Sequence, residues 1–404
     1  MTIFDRFGVA PAINAAGFAT RLGGALPSDG VRQAMAEAAE LSIDMAALHA
    51  AASEVISRIT GSEAGLVTSG ATAGLQLASA ACLAGLEVDI MDRLPDTRGI
   101  PNEIVMFRTH RTGYDHGLRA AGAIIREVGY NTRAMGAGGR SVERWEVERA
   151  IGPDTVALAA TATPTNTDEV EMLGDLAAEA EIPLIVDAAA QVPPAENLRK
   201  FIDVGASLVA FSGGKALRGP QETGVLAGKR DLIMSAALQM LDMDEAYETW
   251  QPPTGFIDVD RIDGLPHHGI GRGLKVSKES VVGLLTALES YPSDVSDEVT
   301  KRIGSIVDEI EQGLRATPGV AVIRVPDTRW GWPRLEMRIV EGCRVDSAVE
   351  FSSMLKRSSP AVFLNEQRLS EGVLLIDPAN LRDQHAAQIL AAVREICCST
   401  PELT

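Results

Sequence analysis

Short runs of uninterrupted apolar residues recur along the first two-thirds of the chain, separated by stretches of helical periodicity. Leu66–Thr68, Glu103–Arg108, Ala123–Val128, Thr155–Ala160, Ile182–Asp187, Leu208–Phe211 and Gly224–Ala227 read as strands. Helical spacing runs through Pro27–Thr60, carried by Val31, Met35, Ala38, Leu41, Met45 and Leu48, with Ser28 and Asp29 as candidate caps. It returns in Ala71–Ala84, Asp115–Gly122, Trp145–Ala150 and Glu171–Ala180. Strands that are apolar throughout mark a sheet covered on both faces, and intervening helices make that sheet parallel. The expectation is an α/β, doubly wound core.

After Gly271–Ser277 the texture changes. Helical patterns over Lys278–Tyr291 and Val307–Leu314 lead into strand-like Val320–Val325, Arg334–Val340 and Gly372–Ile376. Helical Asp346–Lys356 and Arg382–Cys397 interleave with these strands, so a smaller α+β C-terminal domain is expected. The expected division is an N-terminal segment and helix over 1–60, a large domain over 61–275 and a small domain over 276–404. Pro292–Val299 is the nearest thing to a linker.

Composition narrows the class. The 404 residues are 46% hydrophobic, enough to offset the entropy of ordering, so dominant disorder is excluded. Lys and Arg total 37 against 55 Asp and Glu, a formal charge of −18, which argues against binding a nucleic acid backbone. The four cysteines form no CxxC pair and no zinc-like spacing with histidine, as expected of a reduced, cytoplasmic protein. No basic-then-apolar leader and no long uncharged apolar span is evident, so neither a signal peptide nor a membrane anchor is expected.

Four features fall at the carboxyl ends of expected strands, where open parallel sheets place ligands. Ser69, Gly70 and Ala71 form a small polar turn into a helix, which can present backbone N–H groups and a helix dipole to an anion. The same turn is also how an ordinary capped helix begins. Asp187 closes an apolar strand, where a carboxylate is costly unless it is paired, caps a helix or serves a cationic ligand atom. Ser212-Gly-Gly-Lys215 follows another strand, and a lysine on a glycine-flanked turn can act as an amine nucleophile. A surface lysine is the plain alternative. His110 ends the strand EIVMFRTH, and its flat ring could stack on a planar ligand. His110 and His116 lack a carboxylate at ligand spacing, so no metal site is expected. Anion turn, ring, acid, and lysine 28 residues later is the order a pyridoxal-phosphate enzyme needs: donors for phosphate, a carboxylate for the pyridine nitrogen, an amine for the aldehyde.

INAAG (13–17), TSGATAGLQLA (68–78), HRTGYDHGLRAAGA (110–123), DAAAQVPP (187–194), FSGGKALRGPQETGVLAG (211–228) and GRGLKVSKESVVGLL (271–285) together resemble one branch of the fold-type I pyridoxal-phosphate enzymes. That branch is related to bacterial selenocysteine synthase (L-seryl-tRNA selenium transferase) and includes the D-glucosaminate-6-phosphate ammonia-lyase-like proteins. The resemblance implies an aspartate-aminotransferase-like fold with a mostly parallel sheet, and pyridoxal 5'-phosphate as cofactor. It implies Lys215 as the Schiff-base lysine and Asp187 as partner of the pyridine nitrogen. Ser69, Gly70, Ala71 and Ser212 would hold the phosphate, His110 would stack on the ring and Gln191 would face its phenolic oxygen. It further implies a dimer, with His267, His268 and Arg272 on a segment reaching the partner's site.

Transferases of that branch carry a further N-terminal module, whereas INAAG starts here at residue 13, and the charge disfavours tRNA. The expected activity is therefore a lyase removing water and ammonia from a β-hydroxy α-amino acid, sugar-derived or phosphorylated, to give a 2-oxo acid. Arg111, Arg218 and Arg272 are the candidate cations for the substrate's carboxylate or phosphate. An aldolase, racemase or aminotransferase would use the same cofactor residues, and a non-catalytic relative of the fold is the reading from another class.

Overall fold

A computed structural model describes residues 2–130, 141–294, 297–326 and 332–398. In chain order the first half contains β1 (Ala12–Ala15), α1 (Asp29–Ala39), α2 (Met45–Thr60), β2 (Ala64–Thr68), α3 (Ala71–Ala84), α4 (Val88–Arg93), β3 (Glu103–Phe107), α5 (His116–Ala120), β4 (Ile124–Val128), α6 (Arg144–Ala150), β5 (Thr155–Thr161), α7 (Thr167–Glu179) and β6 (Leu184–Asp187). There follow α8 (Asn197–Asp203), β7 (Leu208–Ser212), β8 (Gly224–Gly228), α9 (Arg230–Met240), α10 (Lys278–Asp294), α11 (Asp297–Arg315), β9 (Val320–Val325), β10 (Arg334–Ile339), α12 (Ala348–Leu355), β11 (Ala361–Leu364), β12 (Val373–Ile376) and α13 (Asp383–Cys398). Among the described residues no helix is long and apolar enough to cross a membrane.

The chain forms two compact units, one of residues 27–291 and one combining 1–26 with 292–404. The larger is built on a seven-stranded sheet of order β2-β8-β7-β6-β5-β3-β4. All neighbours are parallel except β8, which runs antiparallel to both β2 and β7. Successive residues of each strand except the edge strand β4 feed two separate cores, as a two-sided sheet requires. Leu66, Ile104, Ile185, Leu208 and Leu226 meet α3 and α9 on one face. Val67, Val105, Val186, Val209 and Val225 meet α2, α7, α8 and α10 on the other.

The helical pattern expected across Pro27–Thr60 divides into α1 and α2. Leu41 continues the apolar spacing but is exposed, and Asp44 starts a new helix by accepting the Ala46 N–H at 2.8 Å.

The smaller unit holds an antiparallel sheet β12-β10-β9 and a parallel pair β1-β11, with α11, α12 and α13. Expected boundaries at 60 and 275 give way here to a unit that recruits the first 26 residues. The cause is local: β1 pairs with β11 from Ala12↔Ala361 to Ala15↔Leu364. The buried Asn380 side chain then donates to the Gly17 and Gly24 carbonyls and accepts the Leu26 N–H, satisfying three backbone groups. Within INAAG, Asn14 bonds the Ala16 N–H and the Gly17 carbonyl, so its polar groups hold a turn.

Close packing also dictates Gly174 in α7, where a Cβ would lie 2.2 Å from the Val204 carbonyl oxygen. Gly174→Ala is expected to lower stability by about 1–3 kcal/mol, since backbone cannot yield as a side chain can. Gly30→Ala in α1, with nothing within 4 Å, serves as the control and should be neutral or stabilising. Denaturant unfolding of both variants checks this.

Candidate active site

Strands β2, β3, β5, β6 and β7 all end at one edge of the large sheet, and β8 begins there. Thr68 pairs with Gly224, which pairs with Ser212, so these three residues lie level. Asp187 pairs with Thr161 on one side and Ala210 on the other. The structure thus brings Ser69, Gly70, Ala71, Asp187, Ser212 and Lys215 to neighbouring strand ends.

The anion turn is shaped by glycine. Gly70 has φ +92° and caps α3 without a side-chain hydrogen bond, leaving the first N–H groups of a 14-residue helix for another acceptor. Gly224 is required opposite it, because a Cβ there would stand 2.5 Å from the Gly70 carbonyl carbon and 2.7 Å from the Ala71 nitrogen. The lysine turn is equally tight. The Gly213 N–H donates to the Thr223 carbonyl at 2.8 Å, and the Gly219 N–H to the Gly213 carbonyl at 2.9 Å. Lys215 is half-buried at its crest. Arg218 lies on the same turn, its N–H donating to the Lys215 carbonyl at 3.0 Å and its φ at +57°.

Burial pushes the Asp187 carboxyl above the usual range, opposed by the Ala189 N–H at 3.0 Å and by the positive charge of Lys215. Asp187 retains some solvent contact, but the protein packed around it is dense enough for desolvation to outweigh both. It lines a pocket with Asp115, Thr161, Leu75, Met106 and Leu118. For Asp115 burial is again the largest influence, but Arg111 and Arg119 together carry its carboxyl below the usual range.

His110 is buried beyond β3, its ring tilted 32° against Phe107 at a centroid distance of 4.9 Å. Gln191 is also buried, its amide nitrogen donating to the Ala162 carbonyl at 2.8 Å. Arg111 is engaged by Asp115 and Glu127, Arg272 by Asp242, and His268 by Asp244 at 3.1 Å. His267 bonds Asp92 and is largely exposed. These side chains hold carboxylates of their own chain. Sequence reasoning missed Asn166, Glu169 and Asp115. An Asn followed three residues later by Glu reads as a helix-start signature, yet Asn166 makes no side-chain cap bond and both side chains contact His110 instead.

The fold, with a mostly parallel sheet whose edge carries an anion turn, a carboxylate and a lysine, is that of the aspartate-aminotransferase-like, fold-type I class. No protein-family model matches the chain. It is similar to the D-glucosaminate-6-phosphate ammonia lyase of Salmonella typhimurium, 29% identical with 98% of this chain and 97% of that protein covered. A solved D-glucosaminate-6-phosphate ammonia-lyase structure superposes with a TM-score of 0.81 at 28% identity, covering 98% of both chains. The 5'-C-glycyluridine monooxygenase-decarboxylase of a Streptomyces species is 28% identical over 97% of this chain and 91% of its own. The L-seryl-tRNA(Sec) selenium transferase of Solidesulfovibrio magneticus is 24% identical over 85% of this chain and 70% of its own. The resemblance read from the motifs is thereby borne out.

Because folding raises the Asp187 carboxyl above its unfolded value, its protonated form favours the fold, and that contribution is lost as pH rises through the folded value. Cofactor-free Asp187→Asn should therefore unfold at a higher temperature than the parent at neutral pH. The difference should close as pH falls into the ordinary carboxylate range. Thermal unfolding across a pH series checks it.

Proposed function

We propose that this chain is a pyridoxal 5'-phosphate-dependent lyase that releases ammonia from a β-hydroxy α-amino acid, sugar-derived or phosphorylated, leaving a 2-oxo acid. The observation that carries the reading is the convergence of the α3 N-terminus, Asp187 and the Lys215 turn on one sheet edge, in a chain similar along its length to an ammonia-lyase. The residues fit the cofactor. The uncapped N–H groups behind Gly70 suit a phosphate, with Ser69 and Ser212 beside them. A carboxylate disfavoured by burial is stabilised by a cationic pyridine nitrogen, and the half-buried lysine suits an aldehyde.

When bound, the cofactor supplies an electron sink for charge developing at the substrate α-carbon. Asp187 holds the proton on the pyridine nitrogen. The backbone N–H groups at the start of α3 bind the phosphate, and His110 orients the ring. Lys215 Nζ removes the α-proton and can return it, placed by a turn whose glycines leave no room for side chains. Arg218, three residues from Lys215, binds the substrate's anionic group. In balance, the β-hydroxyl leaves as water, water is taken up again, and ammonia is the net loss. A dimer, with His268 and Arg272 turned toward the partner's site, belongs to the same reading.

The similarity to the monooxygenase-decarboxylase, nearly equal in identity, favours one second reading on the same residues: oxygen-dependent decarboxylation. One experiment separates them. Purified protein supplied with pyridoxal 5'-phosphate is screened against phosphorylated and sugar-derived β-hydroxy amino acids, with and without oxygen. Ammonia and 2-oxo acid in equal amounts, unaffected by removing oxygen, are expected. Oxygen uptake with carbon dioxide release would favour the second reading. Lys215→Ala should lower kcat by about 10³-fold or more, and should abolish borohydride fixation of the cofactor to the protein.

A further inference from the structure

Two side chains make opposite demands on one ring nitrogen of His110. The Asn166 amide is pinned: its oxygen accepts the Thr163 N–H at 2.7 Å and its nitrogen donates to the Thr161 carbonyl at 2.9 Å. The amide nitrogen's second hydrogen is then available to His110 Nε2, 3.0 Å away, which calls for a bare Nε2. Glu169 Oε2 stands 2.8 Å from the same Nε2, and Oε1 of that carboxylate accepts the Ser141 hydroxyl. An ionised carboxylate only accepts, so it calls for a proton on Nε2. Glu169 lies in the first turn of α7, where the helix dipole favours its charge. A charge-assisted hydrogen bond is about twice as strong as a neutral one, so the carboxylate prevails.

We propose that Glu169 is a positioning residue that keeps the His110 proton on Nε2 and fixes the ring plane, and that without it Asn166 moves the proton to Nδ1. The functional part rests on the reading that His110 stacks on pyridoxal phosphate. A ring whose N–H is polarised by a carboxylate is richer in electrons and stacks better on a protonated pyridine. Phe107 supports the ring from one side, so its plane is set by packing and its tautomer by Glu169.

The test is the protonation of His110 Nε2, read from the imidazole nitrogen signals of ¹⁵N-labelled, cofactor-free protein, assigned with a His110→Gln sample. A protonated Nε2 in the parent and a bare Nε2 in Glu169→Ala are expected. A bare Nε2 in the parent overturns the proposal without any variant, and a Nε2 still protonated in Glu169→Ala overturns it too. Asn166→Ala should leave Nε2 protonated, and loss of that proton would equally count against it. As a second readout, Glu169→Ala should weaken pyridoxal phosphate binding by about two- to tenfold, the share of affinity that stacking on a well-placed ring supplies; unchanged affinity removes the functional part. Failure of the parent to bind pyridoxal phosphate would sink the lyase reading, while the tautomer result stands or falls on its own.

Discussion

Because β8 runs antiparallel between β2 and β7, the carboxyl ends of those two strands lie level on either side of its first residue, Gly224. The turn into α3 and the turn bearing Lys215 are far apart in sequence, and both flank the first residue of β8. The approach is so close that Gly224 admits no Cβ against the Gly70 and Ala71 backbone. Asp187 then needs only to end the adjacent parallel strand to stand within the field of Lys215. A parallel β8 would need a crossover connection from β7, and the tight turn that carries Lys215 could not lead straight into it. The site is thus a consequence of topology first and of side-chain choice second.

Where the sequence was legible, two-sided burial explains why. Strands covered on both faces leave continuous apolar runs, which is how β2, β3 and β5 through β8 could be read with small errors at their ends. The span of α3 was read to the residue because Gly70 and Gly85 bracket it. The misses have equally plain causes. From Ile233 to Met240 every residue of α9 is buried, so no polar face marks a helical period. α8 has seven residues and β11 only four, too short to establish any period. The exposed Leu41 extended an apolar spacing across a real break.

The site divides the same way. Residues that would meet a ligand stand at strand ends and could be picked out one by one. Their partners could not, since Glu169 is 59 residues from His110, and Asp242 is 30 from Arg272. No local pattern records such pairs. Asn166 and Glu169 did leave a trace, but a misleading one, because the spacing of a helix start is also the spacing that sets two side chains on a ring before the helix.

The charge arrangement bears on how an acidic chain could hold an anionic substrate. A net −18 repels anions at a distance, but in physiological salt that field fades over about 8 Å, leaving local groups to decide. Arg272 holds Asp242, which is itself well exposed, and such a pair is worth only about 0–1 kcal/mol. Exchanging that aspartate for another carboxylate would therefore be nearly neutral in energy, so Arg272 is neutralised at rest without being locked. Arg111 differs, because its partner Asp115 is buried and would be left with a desolvated charge if the arginine turned away. On this ground Arg111 stays with Asp115, which lines the pocket. The backbone N–H groups at the start of α3 carry no titrating charge, so an anion held there would be held by geometry that neither pH nor a neighbouring carboxylate can cancel.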